Sequence, residues 1–135
     1  MTLTPELHSL ALIAVATALM WIPYMAARIF TRGLARSLAN PANPSFPPDP
    51  AWAERARRAH ANAVENLAVF APLVVILALI GVSTAATIMA SKIYLGARLV
   101  HYAVYAAGIP IIRTLAFAAG FAATLVIAGA VLGHA

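Results

Sequence analysis

Two stretches place chemically capable side chains among apolar ones. In "RRAHANAVENL", residues 57–67, Arg58, Asn62 and Glu65 fall at i, i+4 and i+7, which is one face of a helix. Counted from Tyr94, Arg98, His101 and Tyr105 fall at i+4, i+7 and i+11, again one face. Arg32 and Arg113 flank these stretches in the chain. Arginine forks suit carboxylates. Glu65 suits an ammonium group, Asn62 supplies an amide, and the tyrosines supply hydroxyl donors. The set fits a zwitterionic peptide with extra carboxylates better than a neutral lipid. Metal binding is not expected: His60 and Glu65 are five residues apart, and no two histidines sit at i and i+4. There is no cysteine. A thiol reaction here would need a thiol carried by the ligand.

The elements that must position these groups are membrane-like. Of the 135 residues 63% are hydrophobic and 10% charged, and the mean hydropathy is +0.88. Soluble domains carry roughly 25% charged residues. Residues 7–27, 67–91 and 114–135 are apolar runs, and 93–112 is apolar apart from Arg98, His101 and its tyrosines. About 20 such residues cross a bilayer. The expectation is one all-α, integral-membrane domain, a four-helix bundle with helices over about 6–36, 51–80, 85–107 and 110–133. The net charge of +5 is read as basic residues flanking spans rather than as a nucleic-acid surface. Arg28, Arg32 and Arg36 follow the first apolar run, which is the wrong order for a cleaved signal peptide and places the N-terminus outside.

Pro23 is expected to kink the first helix. "NPANPSFPPDP", residues 40–50, holds five of the nine prolines and reads as part of a cytoplasmic loop over 37–50. Alternation of the spans brings the start of the second helix, the end of the third and the start of the fourth to one side of the membrane. The embedded polar groups therefore share one leaflet, and Lys92 alone has no evident role. An embedded charge costs about 2.5–3.5 kcal/mol, so the two polar faces are expected to turn inward, toward each other or toward a hydrated cavity. A buried Glu65–Arg98 ion pair that merely orients the bundle is the alternative use of the same residues. Arg55, Arg57, Trp52 and Tyr102 read as interface anchors. His8 and His134 are expected to do no chemistry. Gly129 and Gly133 make only a weak helix-pairing signal.

With these residues in view, the chain resembles the MAPEG family, the membrane-associated proteins in eicosanoid and glutathione metabolism, and in particular its bacterial branch. "ARSLANP", "ERARRAHANAVENLAVF" and "ARLVHYAVY…PIIRTLAF" carry the resemblance, through R-x-H-x-N-x-x-E-N and R-x-x-H-x-x-x-Y. It is related in this way to microsomal glutathione transferase and prostaglandin E synthase. The resemblance implies a homotrimer in a bacterial inner membrane, binding glutathione between protomers on the cytoplasmic side. By position it implies glutathione contacts from Arg32, Arg58, Asn62, Glu65, Arg98, His101 and Tyr105. Arg113, with Thr114 beside it, corresponds to an arginine that stabilises the thiolate. Ala61 and Ala68 depart from the family, standing where some members have arginine and many have proline.

The implied function is a glutathione-dependent transferase or peroxidase acting on lipophilic electrophiles or lipid hydroperoxides. Glutathione is the co-substrate, and membrane lipid the surrounding partner. A non-catalytic lipid-binding or scaffold member of the family is the alternative. A small multidrug exporter using Glu65 as its proton carrier fits less well, because the arginine-rich face would repel cationic cargo.

Overall fold

A computed structural model describes residues 2–40 and 43–134. Pro41 and Ala42, in the proline-rich stretch, lie outside the described residues, as do both terminal residues. Six helical segments follow in order: α1 (Pro5–Leu19), α2 (Trp21–Arg32), α3 (Leu34–Ser37), α4 (Ala51–Leu79), α5 (Ala85–Ala107) and α6 (Pro110–Leu132). No strand occurs among the described residues.

The stretch expected as one helix over 6–36 is therefore three segments. The first interruption is at Met20, three residues before Pro23. Proline has no N–H to donate back to Leu19, and its ring crowds the preceding turn. The next carbonyl along, that of Met20, accepts the Tyr102 hydroxyl of α5 at 2.8 Å. Tyr102 thus ties α5 to this break, where its sequence position suggested only an interface anchor. The second interruption is Gly33, whose φ of 81° and ψ of 159° are incompatible with helix.

Beyond α3 the chain is held by an acid set between prolines. Asp49 accepts from Arg28 Nη2 at 2.6 Å and lies 3.5 Å from Arg32 Nη2. Arg28 and Arg32 are one helical turn apart on α2, so both can grip the same carboxylate. Arg32 Nε also donates to the Pro47 carbonyl at 2.7 Å.

The core draws on four segments: Ile13 of α1, Phe70, Val74 and Leu77 of α4, Ala90 and Tyr94 of α5, and Ala123 and Ile127 of α6. Tyr94 stacks face to face on Phe70, with ring centroids 3.6 Å apart. In the other half of α4 the buried face is alanine only, at Ala53, Ala56, Ala59 and Ala63. Side chains this small let neighbouring helices approach closely. Pro72 lies within α4 without ending it.

The surface is the reverse of a soluble protein's. Phe30, Leu79, Ile111, Leu115 and Leu132 are exposed, while Glu6, Ser9, Thr17, Thr87, Ser91, Arg98 and His101 are buried. Apolar groups outward and polar groups inward is what lipid demands. Three helical stretches are long and apolar enough to cross a membrane: Pro5–Arg32, Ala51–Leu79 and Pro110–Leu132. α5 is long enough, but its Lys92, Arg98 and His101 lower its hydropathy.

Glu6 locks the end of the bundle away from the arginines. Its carboxylate accepts the Thr87 hydroxyl at 2.6 Å and the Ser83 hydroxyl at 3.0 Å. Thr84 and Thr87 form the capping box of α5, so the acid sits against the positive end of that helix. Hydrogen bonds to a charged group contribute about 1.5–3 kcal/mol. Glu6→Ala is expected to cost about 2 kcal/mol and to lower the thermal midpoint in detergent. A midpoint equal to wild type would show that this lock contributes nothing.

Candidate functional site

The site begins with a buried cation. Arg98, on the inner face of α5, is 1% exposed. Its Nη2 donates to Asn62 Oδ1 of α4 at 2.5 Å, and its Cζ lies 5.9 Å from the centre of the Phe117 ring of α6. The same amide oxygen of Asn62 lies 3.4 Å from Asn66 Nδ2, which also donates to the Asn62 carbonyl at 2.8 Å. Asn66 therefore holds Asn62 with its oxygen turned toward the guanidinium.

Room for Arg98 comes from Gly120 of α6. A Cβ at that position would lie 3.3 Å from Arg98 Cδ, tighter than ordinary contact. Glycine there leaves the arginine stem in place without pushing it sideways.

From Arg98 the polar stripe runs toward the C-terminus of α5. His101 is buried and meets Tyr105 edge-on, with ring centroids 5.5 Å apart. Tyr105 in turn lies under Arg113, whose Cζ is 4.8 Å from the ring centre. A guanidinium over an aromatic face is held by the ring quadrupole. Thr114, beside Arg113, donates its hydroxyl to the Pro110 carbonyl at 3.1 Å. An open apolar depression of about 280 Å³, lined by Pro110, Ile111, Thr114 and Leu115, occupies the same first turns of α6.

Charge and hydrogen bonding are left incomplete along this stripe. Neither Arg98 nor Arg113 has an acidic partner among the described residues; the ion pairs formed are Arg28–Asp49, Arg32–Asp49, Arg57–Glu54 and Arg58–Glu54. Arg98 Nε, His101 Nδ1 and the Tyr94 hydroxyl are buried with no hydrogen-bond partner among the described residues. Buried polar groups are nearly always satisfied. These three atoms lie on a single face of α5, one of them on the uncompensated cation itself, and leave that face with unmet hydrogen-bonding capacity.

Of the residues singled out in the sequence, the fold thus joins Asn62, Arg98, His101, Tyr105 and Arg113 into one connected group. Three others stand apart within the chain. Arg58 is exposed, with its Nε 3.5 Å from Glu54 Oε1. Arg32 is engaged with Asp49 and Pro47. Glu65 is exposed and lines a separate open groove of about 500 Å³ with Tyr24, Arg57, His60, Ala61 and Val64.

The expected inward meeting of Glu65 with Arg98 does not occur, and neither does their ion pair. The reason is which side of α4 is covered. Its inner face is taken by the alanines and by Phe70, Val74 and Leu77. Asn62 sits on the flank of that face and reaches Arg98, while Glu65 points away from it. In the Glu65 groove the Tyr24 hydroxyl and His60 Nδ1 are hydrogen-bonded at 2.9 Å. His60 and Glu65 share this groove despite their five-residue spacing, because a wide groove collects side chains from more than one helix stripe.

Several contributors carried no conspicuous signal. Asn66 could have been found from its i+4 relation to Asn62, and Asp49 from the Arg28–Arg32 spacing opposite it. Gly120 and Phe117 could not, since their role lies in what α6 packs against. Lys92 is exposed on the opposite side of α5 from the stripe and takes no part in it.

No curated protein matches the chain. The family profile described as MAPEG family matches residues 9–133, nearly the full length. With its buried polar stripe inside an apolar exterior, the chain is a membrane protein that belongs to the MAPEG family.

Proposed function

We propose that the protein is a glutathione-dependent membrane transferase or peroxidase, acting on lipophilic electrophiles or lipid hydroperoxides by thiolate attack. The observation that carries this reading is the Arg98 guanidinium, buried with no acidic partner among the described residues, its Nε unsatisfied and His101 Nδ1 likewise unsatisfied on the way to Arg113. A tripeptide with two carboxylates and a thiol supplies the missing anions. Arg98 and Asn62 take a carboxylate end, and His101 and Tyr105 line the cleft.

Arg113 lies at the mouth, where a sulfur anion beside it is favoured over the thiol. A free thiol of cysteine type has a pKa of about 8.5, so without such help little nucleophile exists at neutral pH. The apolar depression lies on another face of the same first turns of α6, its lining not including Arg113, and suits the second substrate. In conjugation the thiolate sulfur forms a bond to the electrophilic carbon and displaces its leaving group. In peroxide reduction it takes the distal oxygen and releases an alkoxide, which is then protonated. A lipid-soluble second substrate explains chemistry placed inside the bilayer.

The reading includes four membrane-crossing helices, α1 with α2, then α4, α5 and α6, in an inner membrane with the N-terminus outside. It also includes a homotrimer. Glu65 and Arg58 are exposed on the protomer, so they join a ligand held on Arg98 only if a neighbouring copy brings the two faces together. Glu65 then takes the ligand's amine, and Arg58 a carboxylate. Arg32 contributes only if it exchanges its contacts with Asp49 and Pro47 for the ligand.

That engagement of Arg32 and Arg58 within the protein favours a second reading, a non-catalytic lipid-binding or scaffold member. One experiment separates the two: glutathione titrated into purified protein, followed by thiolate absorbance and equilibrium binding. The enzyme reading expects saturable binding with a thiolate signal at neutral pH. No binding at millimolar concentration would leave the scaffold.

A further inference from the structure

Arg55 reaches from the second turn of α4 to the turn that precedes Arg113. Its Nε donates to the carbonyl of Ala106 at 2.9 Å, in the last turn of α5. That turn closes on Gly108, which adopts φ 81° and ψ 28° and donates its N–H to the carbonyls of Tyr105 and Val104. The end of a helix carries unsatisfied carbonyls and partial negative charge, so a guanidinium is favourable there. A Cβ on Gly108 would lie 3.4 Å from both Cζ and Nε of Arg55, so the guanidinium packs directly against the glycine. Arg55 has no acidic partner among the described residues, which leaves its charge committed to this turn.

The clamped point lies between two residues of the candidate site. Tyr105 immediately precedes Ala106. After Gly108 only Ile109 intervenes before Pro110 opens α6, and Arg113 follows in its first turn. The two partners of the Tyr105–Arg113 stack therefore flank the backbone that Arg55 grips. Arg55 itself stands on a rigid support, since Ala53, Ala56 and Ala59 around it are all buried.

We infer that Arg55 is a positioning residue: by pinning the α5–α6 turn to α4 it sets where Arg113 stands relative to the reacting sulfur. This inference rests on the proposed thiolate chemistry. Arg55 touches neither Arg98 nor Asn62, so its loss should leave ligand anchoring intact and misplace only the activating cation. Small misplacements of a catalytic group can cost up to about 100-fold.

The test uses full-length protein in lipid nanodiscs and compares wild type, Arg55→Ala, Arg55→Lys and Arg113→Ala. Glutathione binding, thiolate absorbance against pH, and steady-state kinetics are read on each. Arg55→Ala is expected to bind glutathione within about twofold of wild type and to lose about 10- to 100-fold in kcat, with KM little changed. Its thiolate curve should move to higher pH, toward that of Arg113→Ala. Arg55→Lys, which can still donate one N–H to the Ala106 carbonyl, should recover part of the loss. Amide exchange in the peptide spanning the turn should quicken in Arg55→Ala and not elsewhere in α5.

If wild type itself forms no thiolate, the catalytic reading falls and this inference falls with it. If Arg113→Ala loses the thiolate but Arg55→Ala matches wild type, the inference alone is overturned. If Arg55→Ala loses binding and thiolate in equal measure, Arg55 is merely structural, which also overturns it.

Discussion

Arg98→Met should yield a folded protein that no longer retains glutathione. Methionine fills a comparable volume, and the gap beside Gly120 accepts an unbranched stem. Asn62 is not stranded by the change, because Asn66 still donates to it. A buried charge is costly to keep and often neutral or favourable to replace by a well-packed apolar group. The melting temperature is therefore expected to equal or exceed that of wild type. Binding should behave oppositely. Removing one partner from a buried charge-assisted contact costs about 2–5 kcal/mol, which is at least about 30-fold in Kd. Thermal unfolding and equilibrium binding on the same sample check both halves. A variant that melts far below wild type would make Arg98 a structural residue. One that binds glutathione normally would remove it from the site.

Arg113→Ala should give the second large effect, and on a different quantity. The cation lies at the mouth of the stripe, stacked on Tyr105 and free of any acid among the described residues. Its proposed work is to favour an anion on sulfur, so it lowers the pKa of bound thiol. Removing it moves the acidic limb of the pH–rate profile upward, and each unit corresponds to about 1.4 kcal/mol. Loss of a preorganised donor at a developing or reacting anion typically costs about 100- to 1000-fold in kcat. KM should change little, because the carboxylate anchor at Arg98 remains. Arg113→Lys should fall between, since an ammonium keeps the charge but not the planar stacking on the tyrosine. A pH profile that does not move in Arg113→Ala would assign thiolate formation to some other group.

How far the site could be read in advance varied by residue. Arg98, His101 and Tyr105 were legible because they recur at helical spacing in a span that lipid would otherwise purge of charge. A polar stripe under that constraint must turn inward, whatever the partner. Glu65 obeyed the same spacing, yet within the chain it faces outward and does not meet Arg98. A helical wheel groups Arg58, Asn62 and Glu65 on one face, but says nothing about which edge of that face a neighbour covers. Only the packing of alanines and Phe70 against the bundle showed that Asn62 reaches inside and Glu65 does not. Arg55 and Tyr102 had the types and positions of interface anchors. Both instead bond backbone carbonyls 51 and 82 residues away.

Composition and periodicity were enough for an all-helical chain with an apolar exterior and for the stripe bearing Arg98, because each follows from local chemistry and the solvent; the breaks at Met20 and Gly33 in the first helix were not foreseen. Which charges are neutralised inside the chain was settled elsewhere. Asp49 engages Arg28 and Arg32, Glu54 engages Arg57 and Arg58, and Glu6 sits at the far end, so Arg98 and Arg113 remain uncompensated. Pairings of that kind depend on which helices touch and in what register, and long-range contact is not written in the spacing of any one segment.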